Sequence, residues 1–266
     1  MSRRVALVQF APVLGDRAAT EARLAPLLAR AARAELVVLP ELCATGYAFA
    51  DRAEAEAGAE PVGDSRFLDF LAGRCAEHGF DVVTGFAERA GDRLYNSAVL
   101  VGPEGPVATY RKLHLFDREK ELFTPGDLGV PVVERRGLKL AMLVCFDWAF
   151  PEVWRLAALG GADLVCHPAN FVLAGYAQRA IPVHAQVNGY YVLNANRVGA
   201  ERGLRFTGGS LAAGPRGEVL ARAPAAGEAV EIVAIDPAQA RDKRVTARND
   251  LLADRRPECY RPLVES

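Results

Sequence analysis

The chain has 266 residues, 51% of them hydrophobic, and a formal net charge of −1. That length allows one large domain or two small ones with a sizeable core. No run of eighteen apolar residues occurs, which excludes a transmembrane helix, and near-zero charge argues against broad electrostatic capture of nucleic acid or anionic membrane.

Taken in order, residues 5–10 read as a strand, because the charged-then-apolar start is too short for a signal peptide and is interrupted by Gln9. Residues 18–34, rich in Ala, Leu, Arg and Glu, carry a helical period. A buried strand at 36–39 ends at Pro40-Glu41. A loop, Leu42-Cys-Ala-Thr-Gly-Tyr-Ala-Phe49, follows, and residues 51–60 alternate Ala with acids and read as solvated. A second amphipathic helix, 67–78, stops at Gly79. Strands at 82–86, 94–101 and 107–110, separated by turns at Gly91-Asp92 and Pro103-Glu-Gly-Pro106, suggest antiparallel pairing. The last runs straight into Arg111-Lys112-Leu113-His114.

Residues 116–129 read as a charged loop containing Glu119 and Thr124-Pro-Gly-Asp127. A buried strand from Leu140 then leads to Cys145 and to a helix opened by Pro151 and Glu152 and ended by Gly160-Gly161. A strand at 164–166 ends in His167-Pro-Ala-Asn170. A helix at 176–188, a strand at 190–195 and strands near 210–213, 219–223 and 230–235 complete the pattern, with a turn at Pro215-Arg-Gly217. Residues 1–235 are expected to form one domain. The segment 236–266 is expected to be a charged tail with one short helix.

Two stretches echo each other. Ala6-Leu-Val-Gln-Phe10 resembles Met142-Leu-Val-Cys-Phe146, and Ala34-Glu-Leu-Val-Val-Leu-Pro40 resembles Ala162-Asp-Leu-Val-Cys-His-Pro168. Each pair is joined through a helix, so two strand–helix–strand halves are expected. Alternating helices and strands point to α/β layers, with sheet packed on sheet and helices outside.

Five cysteines, at 43, 75, 145, 166 and 259, are odd in number, widely spaced and without a C-x-x-C pair. Neither a disulfide framework nor a zinc ribbon fits this, and a reducing, cytoplasmic location fits best. No H-x-H or H-E-x-x-H occurs, so a metal hydrolase is not expected. Gly203-Leu-Arg-Phe-Thr-Gly-Gly-Ser210 has the glycine spacing of a phosphate loop, but Gly209 stands where the lysine belongs and no helix pattern follows. It reads as a glycine-permitted turn into a strand. No protease signature surrounds Cys145, although His167 and His184 are available.

Three polar residues end apolar strands: Glu41, Lys112 and Cys145. Cys145 lies at a strand-to-helix turn, the logic of a nucleophile elbow. Backbone donors there lower a thiol pKa and hold an oxyanion. A cysteine nucleophile needs a base, and a buried carboxylate can be one. An ammonium beside them supports thiolate and oxyanion alike. Taken singly, Cys145 also reads as a buried structural cysteine, Glu41 as a solvated strand end, Lys112 as half of a basic surface pair, and Glu119 as part of a solvated charge run.

Four stretches together resemble the nitrilase superfamily of carbon–nitrogen hydrolases. They are Leu39-Pro-Glu41 with Thr45-Gly-Tyr-Ala-Phe49, Tyr110-Arg-Lys112-Leu-His-Leu-Phe116, Cys145-Phe-Asp-Trp-Ala-Phe-Pro-Glu152, and His167-Pro-Ala-Asn170. Asn249-Asp250 and Asp254-Arg-Arg256 are similar to the tails of small amidase-like members. The resemblance implies an αββα sandwich that dimerises, or forms a higher homo-oligomer, through helices near the site and through the tail. It implies Glu41 as general base and acid, Lys112 as oxyanion stabiliser, Cys145 as nucleophile, Glu119 as the second glutamate, and the Phe146 N–H as a further oxyanion donor. No cofactor and no metal are implied. The partners it implies are a small-molecule amide substrate, no nucleic acid and no membrane.

Phe146-Asp147 after the cysteine resembles amidase and carbamoylase branches rather than the Trp-Glu of true nitrilases. Trp148 and Ala149 stand where N-carbamoyl-D-amino-acid hydrolases place a carboxylate-binding arginine. The expectation is a small neutral amide, in a pocket formed by Tyr47, Phe116, Trp148 and Phe171 together with Phe146 and Asn170. The alternatives are an N-carbamoyl (ureido) amidohydrolase, a true nitrilase, and a catalytically silent binding protein.

Overall fold

The computed structural model describes residues 2–265. Its elements are β1 (Arg3–Gln9), α1 (Arg17–Arg30), β2 (Leu36–Val38), α2 (Arg52–Gly58), α3 (Arg66–His78), β3 (Asp81–Ala90), β4 (Arg93–Gly102), β5 (Gly105–Arg111) and α4 (Glu119–Leu122). Then come β6 (Val132–Arg135), β7 (Leu138–Met142), α5 (Pro151–Leu159), β8 (Leu164–Ala169), α6 (Tyr176–Asn188), β9 (Tyr191–Asn196), β10 (Ala200–Glu201) and β11 (Leu204–Arg205). The chain ends with β12 (Leu211–Ala213), β13 (Val219–Arg222), β14 (Ala229–Ile235), α7 (Pro237–Arg241) and α8 (Pro262–Glu265).

Two six-stranded sheets form, in the orders β14-β1-β2-β3-β4-β5 and β13-β12-β9-β8-β7-β6. In the first, β1, β2 and β3 run parallel and the outer neighbours antiparallel. In the second, β7, β8 and β9 run parallel and the outer neighbours antiparallel. Read from β14 to β5 and from β6 to β13, the neighbour relations are identical, so the repeat seen in the sequence is the architecture itself. Parallel neighbours need crossovers. Here α1 and α3 serve the first half, and α5 and α6 the second.

Side-chain alternation then builds the layers. Val5, Leu7, Leu36, Val38 and Val83 join one buried cluster with Leu140, Met142, Leu164, Cys166 and Val192 of the other sheet. Their neighbours Ala6, Val8, Val37, Leu39 and Val82 turn the other way, onto Leu24, Leu27 and Leu28 of α1 and Phe67, Leu68, Leu71 and Cys75 of α3. Strands buried on both faces read as unbroken apolar runs. The result is helix, sheet, sheet, helix.

Local chemistry sets the ends. The Asp16 and Ser65 side chains cap α1 and α3, and Gly79 at φ +77° stops α3. Pro168 lies inside β8, where only β9 is paired at that level, so its missing N–H breaks no ladder on the β7 side. Gly208 and Gly209 have φ of +55° and +65°, as a glycine turn into β12 requires.

Several segments depart from the expectations, among them the β10–β11 hairpin, where no strands were expected, and the tail, which holds two short helices, α7 and α8, in place of one. Residues 52–58 form α2, capped by Asp51, instead of a featureless solvated run. β6, with only two apolar residues, carries too little pattern to announce a strand. The charged loop contains α4, whose first residue is buried. In the tail, Arg241 pairs with Asp163 at 2.7 Å, and Lys243 Nζ donates to the carbonyls of Asn188 and Gly189. Among the described residues, no helix is long and apolar enough to cross a membrane.

Candidate active site

Glu41 follows β2, and its backbone is clamped. Gly85 of β3 passes so close that a Cβ there would sit 2.2 Å from Glu41 Cα. The Asn170 side-chain amide donates to the Glu41 carbonyl at 2.9 Å. The Glu41 carboxylate is wholly buried. Its Oε1 accepts from Lys112 Nζ and Asn96 Nδ2, both at 2.7 Å, while its Oε2 is buried without a partner.

Lys112 ends β5. Successive residues of a strand point to opposite sides, and this splits the basic pair. Arg111 turns outward to Glu88 and Asp127 and lies over the Tyr95 ring, whereas Lys112 turns inward and is 1% exposed. The Lys112 backbone is fixed by its N–H to the Asn96 carbonyl at 2.8 Å and by the Gly126 N–H to its own carbonyl at 2.9 Å. The Thr124–Asp127 turn therefore holds the lysine in place. Nζ reaches both oxygens of Glu119, at 2.8 and 2.7 Å.

Glu119 is the one buried member of its charge run, at 3% exposure, with Arg118, Lys120 and Glu121 exposed around it. Its carboxylate also accepts the Tyr47 hydroxyl at 2.7 Å and the Phe116 N–H at 3.3 Å.

Cys145 opens a 3-10 turn, Cys145–Ala149, three residues past the end of β7. Its φ is +43°, a strained conformation for a non-glycine residue. Two side chains hold the strain. Asp147, wholly buried, accepts the Val144 N–H at 2.8 Å, the Tyr110 hydroxyl at 2.7 Å and the His114 N–H at 3.3 Å, and faces His114 Nδ1 at 2.8 Å. On the other side, His167 Nε2 donates to the Cys145 carbonyl at 3.0 Å, and Asn194 Nδ2 donates to His167 Nδ1 at 3.2 Å. Facing a carbonyl, Nε2 must carry the proton, and Asn194 suits that tautomer. Burial lowers the His167 pKa to about 4, so this ring is neutral near pH 7.

Burial, and then the Glu41 charge, push the Cys145 thiol well above its usual range, against the pull of Lys112. The resting thiol is therefore protonated. Burial works against the Lys112 charge, but Glu119 and Glu41 together more than offset it and keep the ammonium protonated. Burial raises Glu119 above the usual carboxylate range, with Lys112 opposing. The carboxyl groups of Glu41 and Glu119, the Lys112 ammonium and the protonated Cys145 thiol thus share one buried site.

Cys145 opens onto a small cavity lined by Phe116, Phe146, Trp148, Asn170, Phe171, Val172 and Leu173, none of them charged. A wider cleft shares Phe116 and Val172 with it and adds Tyr47, Asp117, Arg118, Glu119 and Arg202. The structure therefore brings Glu41, Lys112, Glu119 and Cys145 together, with Phe116, Phe146, Trp148, Asn170 and Phe171 around the thiol. Tyr47 stands in the adjoining cleft, its hydroxyl taken by Glu119. Among the described residues, no three His, Cys, Asp or Glu side chains are arranged to hold a metal ion.

Asn96 and Asn194 lie outside the sequence motifs, and Tyr110, Asp147 and His167 lie inside them without an assigned role. Asn96-Ser97 inside an otherwise apolar strand was the available signal, since a polar residue buried there must find a partner.

A family profile described as carbon–nitrogen hydrolase matches residues 4–245. A protein of Pyrococcus abyssi described as a nitrilase is 45% identical over 259 residues, covering 97% of this chain and 98% of that one. An (R)-stereoselective amidase from Pseudomonas sp. is 37% identical over 257 residues, covering 95% and 91%. Among solved structures, an amidase from Nesterenkonia sp. matches with a TM-score of 0.82 at 28% identity, over 98% of this chain and 96% of that one.

Proposed function

The chain belongs to the carbon–nitrogen hydrolase family, and we propose that it hydrolyses a small uncharged linear amide to the carboxylic acid and ammonia through a thioester on Cys145. The observation that carries this reading is the buried cluster of Glu41, Lys112 and Glu119 beside a protonated thiol on a strained turn.

In the proposed reaction, Glu41 takes the thiol proton on its unpartnered Oε2, and sulfur attacks the amide carbon. Lys112 Nζ and the Phe146 N–H hold the tetrahedral oxyanion. Glu41 returns the proton to the amide nitrogen, the C–N bond breaks, and ammonia leaves a thioester. Glu41 then takes a proton from water, hydroxide attacks the thioester, and the proton returns to sulfur as the acid leaves. Glu119 aims Lys112 throughout.

The uncharged, aromatic cavity supports an acyl group that is small and neutral. None of the residues lining it carries a charge to pair with a carboxylate on the acyl group. A homodimer is proposed as well. Its basis is the outer face of α5 and α6, where Leu156, Leu159, Tyr176, Val183 and Val187 are each at least 40% exposed.

Ammonia release from small aliphatic amides, N-carbamoyl amino acids and nitriles, by wild type and Cys145→Ala, tests the reading. Release from amides by wild type alone is expected. Turnover confined to ureido acids, with carbon dioxide alongside ammonia, or confined to nitriles, would overturn it.

A further inference from the structure

The Thr45–Phe49 loop is fastened by a buried ion pair that lies outside the reacting cluster. Glu201, on the short β10–β11 hairpin, is 7% exposed, and Arg197 only 1%. Glu201 Oε1 accepts from Arg197 at 2.6 Å, while its Oε2 accepts the N–H groups of Tyr47 and Ala48 at 2.9 and 3.0 Å. Arg197 also donates to the Pro12 carbonyl and lies 4.0 Å from the centre of the Phe206 ring, whose edge-on partner is Tyr47. Gly46 has φ +78°, and a Cβ there would meet Glu201 Oε1 at 2.7 Å and Leu14 Cα at 2.9 Å. The loop is thus held by charge, by an aromatic contact and by close backbone approach.

A buried ion pair is a weak source of stability, because desolvation offsets most of the attraction. What this one fixes is a direction. The Tyr47 phenol is delivered to Glu119 Oε1 at 2.7 Å, and Glu119 in turn holds Lys112 with both oxygens.

We propose that Tyr47 is a positioning residue, anchored by the Arg197–Glu201 pair, whose hydroxyl holds Glu119 against Lys112. This rests on the reading of Lys112 as the group that meets the oxyanion. The titratable groups facing Glu119 are Lys112, Glu41 and Tyr47, with Cys145 also within reach of its charge.

Tyr47→Phe removes one hydroxyl and keeps the ring against Phe206. A hydrogen bond to a charged group implies a fall in kcat of about 10- to 100-fold, with KM little changed. The acid limb of kcat/KM moves to higher pH, because the phenol lowers the Glu119 pKa and its loss makes the carboxylate harder to ionise. Glu201→Gln, which keeps the shape of the anchor and removes its charge, moves both readouts the same way by less. An unchanged kcat and pH profile in Tyr47→Phe, with only KM raised, would make Tyr47 a cleft wall and overturn the inference. Ammonia release separates this from failure of the underlying reading. No release from any amide by wild type would overturn both. Release by wild type, with the same kcat and pH profile in Tyr47→Phe, would overturn the role of Tyr47 alone.

Discussion

Gln9 and Cys145 end similar runs in the two halves, after Ala6-Leu-Val and after Met142-Leu-Val, although the pairings Val5–Leu36 and Leu140–Leu164 set them one residue apart in strand register. In the first half the side chain is consumed. Gln9 Nε2 donates to the carbonyls of Pro224 and Gly227, and its Oε1 accepts the N–H and hydroxyl of Ser210. In the second half the backbone is consumed instead. Asp147 takes the Val144 N–H and His167 binds the Cys145 carbonyl, while the thiol faces a cavity. The following strand repeats the lesson, with Leu39 and Glu41 in the first half matching His167 and Ala169 in the second. One scaffold used twice supplies two sets of strand ends. Reactivity arises where polar neighbours satisfy the backbone and leave the side chain free.

The sharpest way to break this comparison is to truncate both residues. Cys145→Ala is expected to lower turnover about 10³-fold or more, as loss of a nucleophile does, with the fold intact. Gln9→Ala removes four hydrogen bonds and is expected to cost about 2–4 kcal/mol of stability, with kcat unchanged below the melting transition. Kinetics and denaturant melts on the two variants check this. A Gln9→Ala protein that is stable but inactive would end the division of labour.

The second comparison, Leu39 against His167, predicts a pH effect. The folded-state pKa of His167, about 4, lies below its ordinary value of 6.5. Between those values the unfolded chain holds the proton and the folded chain does not. Stability from this residue is therefore complete above about pH 6.5 and is lost as pH falls through 4, by roughly 3 kcal/mol in all. His167→Leu, which copies the first half, is expected to flatten that acid slope. It also leaves the Cys145 carbonyl without a partner and leaves Asn194 only the main-chain carbonyl of residue 167, lowering stability at pH 7 by about 1–3 kcal/mol. Denaturation midpoints between pH 4.5 and 7.5 decide this, and equal slopes in the two proteins would count against it.

The helix layers differ too. The exposed outer positions of α1 and α3 include Arg23, Arg30, Arg66, Asp69 and Glu77, whereas those of α5 and α6 include Leu156, Leu159, Val183 and Val187. If a second copy covers the apolar layer, Leu156→Asp with Val183→Glu should weaken dimerisation by about 10- to 100-fold, since charges buried unpaired at an interface are costly. Analytical ultracentrifugation reads this directly. A wild-type monomer at all concentrations would remove the proposed partner.

How much of this the sequence displayed depends on the range of the interactions. The strands 36–39 and 164–166 and the helix 176–188 were legible because burial on one or both faces is written in local apolar patterns. Glu41, Lys112 and Cys145 are legible as a coherent chemical trio at the ends of apolar strands, and the family motifs are what favour that reading over a structural one. Nothing local distinguishes Lys112 from Arg111, and the strand pleat alone turns one inward. Glu119 is hidden in a run of charges because its burial depends on Lys112 and Tyr47, seven and 72 residues away. Asp147, His167 and Asn194 act through backbone atoms of a turn whose conformation no residue pattern announces. β6 was missed because an edge strand needs few apolar residues.

The smallest predicted difference lies at the starts of α3 and α6, the crossover helices that precede the third strand of each parallel set. Ser65 Oγ caps α3 by accepting the Leu68 N–H at 3.1 Å, and nothing ties that cap to the cavity. At α6, Gly175 has no side chain to offer, and Gln178 reaches back to the Gly175 N–H at 3.1 Å. The same Gln178 donates to Thr207 Oγ1 at 3.1 Å and to the Gly208 carbonyl at 3.2 Å. The Thr207 N–H in turn holds the carbonyl of Phe171, a wall of the cavity. Ser65→Ala should therefore cost about 1 kcal/mol, a fall of about 2–4 °C in Tm, with kcat/KM unchanged. Gln178→Ala should show a similar fall in Tm together with a raised KM, because its loss also loosens Phe171. Both effects are near the limit of a melting curve, so KM is the measurement that discriminates. An equal KM in the two variants would mean that the start of α6, like that of α3, serves the fold alone.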